Sequence, residues 1–128
     1  MNHKKPFRWI DRMKSFTYAA AGIRMLFVKE HNAWIHALAA VSVIGLGLWL
    51  KISLVSWGLV ALAIGGVLAA EMFNTAIETL TDMVSPEYHK SAKAVKDLAA
   101  GAVLISAIAA AVIGAIVFIP PLWSYFCN

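Results

Sequence analysis

Charged side chains are scarce in this 128-residue sequence: they make up 14% of it, whereas hydrophobic residues make up 61%. That apolar share exceeds the roughly 45–50% that is typical of soluble globular domains. The chain has one cysteine, Cys127, so an internal disulfide is excluded. The composition therefore predicts an integral membrane protein with a single domain, residues 1–128, whose apolar faces are covered by lipid.

The sequence also lacks the glycine-rich loops with which many enzymes hold phosphate groups. It contains no Walker motif and no kinase-type glycine loop. No arginine occurs after Arg24, which argues against membrane phosphatases that rely on arginine signatures in later segments. The pair Gly65-Gly66 lies in the middle of an apolar segment, so it is interpreted as a helix-packing feature and not as a phosphate loop.

Long apolar runs dominate the rest of the chain. Transmembrane helices are predicted at 31–50, 53–83 and 96–119, because each holds close to the roughly 20 apolar residues that cross a bilayer. The link between the first two helices is so short that it forces an antiparallel hairpin. Pro120 and Pro121 are predicted to end the third helix.

The N-terminal segment, residues 6–29, is predicted to be an amphipathic helix. Trp9, Met13 and Phe16 share one face, while Arg8 and Arg12 lie on another side. A helix of this kind can lie in the headgroup layer of a membrane. The predicted fold class is therefore an all-α membrane protein with an N-terminal amphipathic surface helix plus three transmembrane helices.

The cations predict how the chain is oriented. Ten of the eleven lie either in the N-terminal arm, up to Lys29, or in a predicted loop, Ser85–Lys96, whereas Lys51 alone falls on the opposite side. The positive-inside rule therefore places the N-terminus and this loop in the cytoplasm. A basic arm can also bind nucleic acid. Here its cations alternate with apolar side chains, which favours a membrane surface, and no nucleic-acid partner is predicted.

Carboxylates appear where the second transmembrane helix should leave the membrane, in the stretch EMFNTAIETLTD. Its acidic and amide side chains share one helix face, at the spacing i, i+3, i+7 and i+11: Glu71, Asn74, Glu78 and Asp82. Roughly 20 residues of helix from the start of that segment end near Phe73. Glu71 is therefore expected about one turn inside the apolar layer, where a carboxylate is costly and indicates function.

Acidic and basic groups at this boundary suit phosphoryl transfer. Glu30 and Glu78 are expected on separate helices, where they can hold a hard cation such as Mg²⁺. Glu71 can act as a general base, and Lys93 and Lys96 can neutralise phosphate oxygens. Each residue alone also has a simpler interpretation: Glu71 as a hydrogen-bond partner between helices, the other carboxylates without a metal, the lysines as topology signals.

The stretch EMFNTAIETLTDMVSPEYHKSAKAVKDLAAGAVL combines the spacing E-x-x-N-T-A-I-E with a later D, E-Y-H and K-D. It resembles the small bacterial diacylglycerol kinase family, which includes the undecaprenol kinases. The matching positions are Glu71, Asn74, Thr75, Ala76, Ile77, Glu78, Asp82, Glu87, Tyr88, His89, Lys96 and Asp97. Upstream, YAAAGIRMLFVKEHNAWIH matches the family's stretch around its first acidic ligand, Glu30. The resemblance covers nearly the whole chain.

The resemblance implies an ATP-dependent lipid kinase of the bacterial cytoplasmic (inner) membrane that uses Mg²⁺, phosphorylates a membrane lipid alcohol and works as a homotrimer with shared active sites. By position, Glu71 resembles the proton acceptor, and Glu30 and Glu78 resemble the metal and ATP ligands. Further positions resemble nucleotide contacts: Tyr18, Asn74, Glu87, Tyr88, His89, Lys96 and Asp97. Arg12 is the nearest match to the family's N-terminal arginine.

Two features resemble the undecaprenol kinase branch more than the diacylglycerol branch. Ile35-His36 and the prolines near the C-terminus are similar to that branch, and Ala100 stands near a position where the diacylglycerol branch has serine. Leaving the resemblance aside, His36 is interpreted as a residue that makes an interfacial hydrogen bond and not as a metal ligand.

The alternative function is a non-enzymatic small membrane subunit that uses interfacial carboxylates for assembly or ion passage. An ion path needs polar groups through the whole bilayer, and the third span offers only Ser106. Small residues repeat at fourfold spacing along this span, which is typical of closely packed membrane helices. Because one protomer offers few polar neighbours, Glu71 is expected to face lipid unless the chain forms a homo-oligomer.

Overall fold

The computed structural model describes residues 6–128, which form four helices in chain order: α1 (Trp9–Lys29), α2 (His31–Leu50), α3 (Leu54–Val84) and α4 (Lys90–Cys127). The helices α2, α3 and α4 are long and apolar enough to cross a membrane. This confirms the predicted class, an all-α membrane protein in which one helix precedes three transmembrane helices. The cations Lys4 and Lys5 of the N-terminal arm lie outside the described residues.

Helix α1 is mostly exposed and is anchored to the rest of the chain near its C-terminal end. Its apolar side chains Trp9, Met13 and Phe16 are exposed, whereas Leu26 is buried. Gly22 faces α3, since a Cβ there would lie at ordinary contact distance, 3.6 Å, from the methyl group of Met72. All residues from 6 to 21 are exposed, so the N-terminal part of α1 packs little against the other helices, and its predicted place on the membrane surface stays a prediction.

The chain turns sharply between α1 and α2 at one residue, Glu30. Its backbone is extended, with φ −113° and ψ 113°, and it serves as C-cap of α1 and N-cap of α2. The indole of Trp34 donates a hydrogen bond of 2.8 Å to the Phe27 carbonyl across this turn, and the two rings pack edge to face. The turn places the Glu30 carboxylate at the start of the first transmembrane helix.

The short connection between α2 and α3 is a tight hairpin. Lys51 adopts the left-handed conformation, with φ 51°, and the carbonyl of Gly47 accepts hydrogen bonds from the backbone N–H groups of Lys51 and Ile52. Ser53 then caps α3 by accepting from the backbone N–H of Ser56. The left-handed residue that ends α2 thus helps to satisfy backbone carbonyl groups that would otherwise be unpaired.

Gly47 is buried under the aromatic ring of Trp57, and a side chain there should loosen the hairpin. A Cβ at Gly47 would lie 2.8 Å from Trp57 Cη2 and 3.0 Å from Ile52 Cδ1. Overpacking typically costs about 1–3 kcal/mol, so we expect Gly47→Ala to unfold at a lower temperature in detergent micelles. Gly45→Ala is the matched control, because a Cβ there meets nothing within 4 Å. Equal melting temperatures for the two variants would contradict this packing.

Helices α3 and α4 form the longest packed pair. Their buried contact is centred on Val60, Val117 and Phe118, against which residues of α2 also pack. At about 1.5 Å per residue, the 38 residues of α4 span nearly twice the roughly 30 Å of a hydrocarbon core. Helix α4 therefore extends beyond the apolar layer.

The two ends of α4 correct the sequence-based boundaries. Lys90, Lys93 and Lys96 lie on the first two turns of α4 and not in a loop, because His89 caps the helix by accepting from the backbone N–H of Ser91 at 3.1 Å. The connection from α3 is therefore much shorter than predicted, and the three lysines occupy fixed helical positions.

The prediction that Pro120 and Pro121 end the helix was wrong, since α4 continues through them to Cys127. Proline removes an N–H donor, but its φ of about −65° is itself compatible with a helix. Contacts beyond the prolines hold the last turns in place: Leu122 packs against the buried core, and the Tyr125 ring lies 5.0 Å from that of Trp49. Tertiary packing thus outweighs the local breaking tendency of proline.

Candidate active site

The acidic face that the spacing predicted is present on α3. The part of this face around Glu71 and Asn74 is buried. Glu71 is 2% exposed, and Asn74 and Thr75 are 8% exposed. The Thr75 hydroxyl donates 3.0 Å to the Glu71 carbonyl, and Thr79 donates 2.8 Å to the Thr75 carbonyl. These threonines satisfy their own hydroxyls along the helix, so the carboxylates remain free for other partners.

Glu71 is hydrogen-bonded to a side chain of another helix. His36 Nε2 on α2 lies 3.0 Å from Glu71 Oε1 on α3. The Glu71 side chain is 3% exposed and that of His36 is 25% exposed. The expectation that a single protomer would leave Glu71 facing lipid was therefore wrong: α2 supplies a polar partner, and neighbouring helices bury the carboxylate within the protomer.

Asn74 and Glu78 form a second polar pair one turn further along α3. Asn74 Nδ2 donates to Glu78 Oε1 at 3.3 Å, which orients one oxygen of that carboxylate. The other end of the amide, Asn74 Oδ1, is buried and has no hydrogen-bond partner among residues 6–128. A buried acceptor without a partner is costly in a folded protein, so this oxygen is a candidate contact for a ligand or for a neighbouring protomer.

The last carboxylate of the row, Asp82, joins α3 to the beginning of α4. Lys96 forms an ion pair with Asp82, and Lys93 forms one with Asp97 within α4. In both pairs the side chains are well exposed, so the pairs contribute little to stability and can rearrange. Lys96 therefore lies beside the acidic row, where an anionic ligand could take the place of its present partner, whereas Lys93 lies one turn earlier on α4.

The remaining predicted site residues are not gathered into the buried row. Glu30 is half-buried at the α1–α2 turn, Glu87 and His89 are exposed in and beside the α3–α4 connection, and Tyr18 and Tyr88 are 72% and 81% exposed. Within residues 6–128, no three His, Cys, Asp or Glu side chains cluster closely enough to hold a metal ion. Among the described residues, the predicted site residues are therefore spread over several parts of the protomer.

An apolar groove of about 320 Å³ leads away from this row between α2, α3 and α4. His36 lies at its polar end, and its other walls are apolar or glycine. Several of the small residues of the third span line this groove, including Ala107, Ala110, Ala111 and Gly114. These small residues therefore leave space within the protomer as well as allowing helices to approach.

The acidic row, the adjacent Lys96 and the apolar groove lie on three helices that are long and apolar enough to cross a membrane, an arrangement that suits an enzyme acting on a lipid. Residues 17–118 match the family model described as prokaryotic diacylglycerol kinase. The chain belongs to the prokaryotic diacylglycerol kinase family and is a lipid kinase. Membership of a kinase family implies ATP and a lipid alcohol as substrates, and it favours the enzyme over the alternative of a non-enzymatic membrane subunit.

Three curated relatives illustrate the similarity. An undecaprenol kinase of Bacillus subtilis (strain 168) is 40% identical over 85% of this chain and 89% of its own length. A diacylglycerol kinase of Synechocystis sp. is 39% identical over 94% of this chain and 73% of its own length. A diacylglycerol kinase of Escherichia coli (strain K12) is 28% identical over 89% of this chain and 90% of its own length.

Proposed function

We propose that the chain transfers the γ-phosphoryl group of Mg-ATP to the hydroxyl of a membrane lipid at the cytoplasmic interface. The observation that carries this proposal is the row Glu71, Asn74 and Glu78, which leads from a buried carboxylate in the apolar part of α3 toward its polar end. Such a row lets a lipid hydroxyl at membrane depth meet a nucleotide that arrives from water.

The donor atoms near Asn74 fit a magnesium ion. Mg²⁺ prefers oxygen ligands and is commonly bound by one or two carboxylates together with substrate phosphates. Glu78 supplies a carboxylate that Asn74 already orients, and Asn74 Oδ1 is a buried oxygen with no partner in the described chain. The family resemblance supports Glu30 as the second carboxylate, although Glu30 lies at the α1–α2 turn and outside the acidic row of the protomer. When bound there with ATP, the ion would neutralise charge on the phosphate oxygens.

Glu71 is the proposed general base. It takes the proton of the lipid hydroxyl as the hydroxyl oxygen forms a bond to the γ-phosphorus of ATP. The bond from that phosphorus to the bridging oxygen breaks, and ADP leaves with the electron pair. Positioning and charge stabilisation supply most of the catalysis in such transfers, which suits a site built from carboxylates and a lysine.

The nucleotide is proposed to lie against the polar ends of α3 and α4. Lys96 is already beside the acidic row through Asp82, and Asp97 is one residue further along α4. The exposed residues Tyr18, Glu87, Tyr88 and His89 would complete the contacts on the aqueous side.

We further propose that the chain lies in the bacterial inner membrane with its N-terminus in the cytoplasm. The cation distribution supports this orientation, because Lys90, Lys93 and Lys96 begin α4 on the same side as α1. We also propose a homotrimer. The resemblance to the family supports it, and so does the exposure of the proposed nucleotide contacts Tyr18 and Tyr88, which a single protomer does not cover.

The lipid can be identified with a substrate panel. Purified protein in lipid nanodiscs would receive Mg-ATP with undecaprenol, dioleoylglycerol or ceramide, and the phosphorylated lipid would be measured. We expect undecaprenol to give the highest kcat/KM, because one similar relative is an undecaprenol kinase and because the diacylglycerol branch is expected to have a serine near Ala100. A clear preference for dioleoylglycerol would contradict the lipid assignment, and no phosphorylation of any lipid would contradict the proposed kinase reaction.

A further inference from the structure

The hydrogen bond between His36 and Glu71 links the buried carboxylate to the groove-lining helix. His36 Nε2 and Glu71 Oε1 are 3.0 Å apart. A base must be ionised to accept a proton, and an ionised carboxylate only accepts hydrogen bonds, so in the proposed reacting state the imidazole Nε2–H is the donor to Oε1. This bond occupies one oxygen and leaves Oε2 to accept from a substrate. It also restricts rotation of the carboxylate, whose burial at 3% exposure leaves it few other partners.

The position of His36 beside the groove connects this hydrogen bond to the proposed lipid substrate. His36 lines the apolar groove between α2, α3 and α4, and its side chain is more exposed than that of Glu71. A lipid chain held in that groove would bring its hydroxyl to the place where the imidazole and the carboxylate meet. His36 therefore stands beside the proposed base and not in the predicted metal or nucleotide region.

We infer that His36 is a positioning residue: its Nε2–H holds Oε1 of Glu71 so that Oε2 faces the incoming lipid hydroxyl. This inference rests on the proposed function, in which Glu71 is the base. Partners that orient a functional side chain typically change activity by about 10- to 100-fold when they are removed. The effect should fall on kcat, because His36 would act through the base and not through nucleotide binding.

Two amide substitutions separate this role from a general need for a polar side chain. The amide nitrogen of glutamine can reach the place of imidazole Nε2, whereas that of asparagine reaches only the place of Nδ1. We therefore expect His36→Gln to keep kcat near the wild-type value and His36→Asn to lower it by about 10- to 100-fold. The KM for ATP should stay unchanged in both. Ser42→Ala is the matched control, since this hydroxyl of α2 bonds only to the Leu38 carbonyl of its own helix.

The measurement uses the full chain in nanodiscs with Mg-ATP and undecaprenol, or dioleoylglycerol if that is the better substrate. His36→Asn is also made in the Glu71→Gln background, where it should cause no further loss because the two residues act as a unit. Wild-type activity in His36→Asn, equal losses in both amide variants, or an independent loss in the Glu71→Gln background would each overturn the inference.

Two further outcomes separate this inference from the proposed function. If the wild-type protein phosphorylates no lipid, the proposed function is contradicted. If the wild type is active and the His36→Asn variant is fully active too, only the role of His36 is overturned. Should His36→Asn not assemble, as judged by thermal unfolding and size-exclusion chromatography, His36→Gln alone decides. A folded but inactive His36→Gln variant would show that the imidazole itself is needed and would overturn the positioning role.

Discussion

Glu71→Gln is expected to lower kcat by about 10² to 10⁴, the usual effect of losing a general base. Glutamine has nearly the shape of glutamate, and its side-chain oxygen can still accept the hydrogen bond from His36 Nε2. The variant loses the ability to take a proton but keeps its buried neighbours. We therefore expect ATP binding and the melting temperature to remain close to those of the wild type, and kcat alone to fall.

Steady-state kinetics with the best lipid substrate would test this, together with nucleotide binding measured separately. Thr79→Val is a matched control on the same helix, because the lost hydroxyl bonds only to the Thr75 carbonyl. It should turn over at nearly the wild-type rate. A Glu71→Gln enzyme with substantial activity would remove Glu71 from the role of base, and lost ATP binding would assign it to the nucleotide instead.

The architecture was predictable because its signals are local and strongly periodic. Apolar runs of membrane-spanning length, a spacing that places Glu71, Asn74 and Glu78 on one helix face, and a short link at Lys51–Ser53 all act within one helix or one turn. Such features depend little on the rest of the chain. The acidic row could therefore be placed on one face of α3 from the sequence alone.

The partner of Glu71 could not be derived in the same way. His36 is 35 residues earlier in the sequence and lies on a different helix, so no periodic pattern connects the two. What brings them together is the rotation of α2 against α3, which depends on how the hairpin packs. The sequence offered one signal, a histidine within an apolar segment. Such a residue predicts a polar contact but does not identify the residue that makes it.

The errors at α4 have a related cause. Pro120, Pro121 and the lysines from Lys90 to Lys96 were interpreted from their local tendencies, to break a helix and to form a solvated loop. In the structure, the cap at His89 and the packing of Leu122 and Tyr125 extend the helix over both regions. Local propensity is a weak guide where tertiary contacts are available on either side of the residue.

The metal ligands should show themselves through the dependence of activity on magnesium. We expect Glu30→Gln and Glu78→Gln each to raise the Mg²⁺ concentration needed for half-maximal activity and to lower kcat. The structure makes Glu78 the more sensitive position, since Asn74 Nδ2 already orients its Oε1 at 3.3 Å and Asn74 Oδ1 is buried beside it without a partner in the described chain. The double variant should lose little more activity than the less active of the two single variants, because residues that hold one ion act as a unit.

Magnesium titrations of both single variants and the double variant, at saturating ATP and lipid, would provide the measurement. Asp11→Asn is the control for loss of a carboxylate, because Asp11 is exposed in the first turn of α1, a different helix from the one that carries the acidic row. It should leave the Mg²⁺ requirement unchanged. Losses that add fully in the double variant, with the wild-type Mg²⁺ dependence in each single variant, would show that Glu30 and Glu78 have separate roles. Asn74 Oδ1 would then require a different ligand, such as a group of the nucleotide itself.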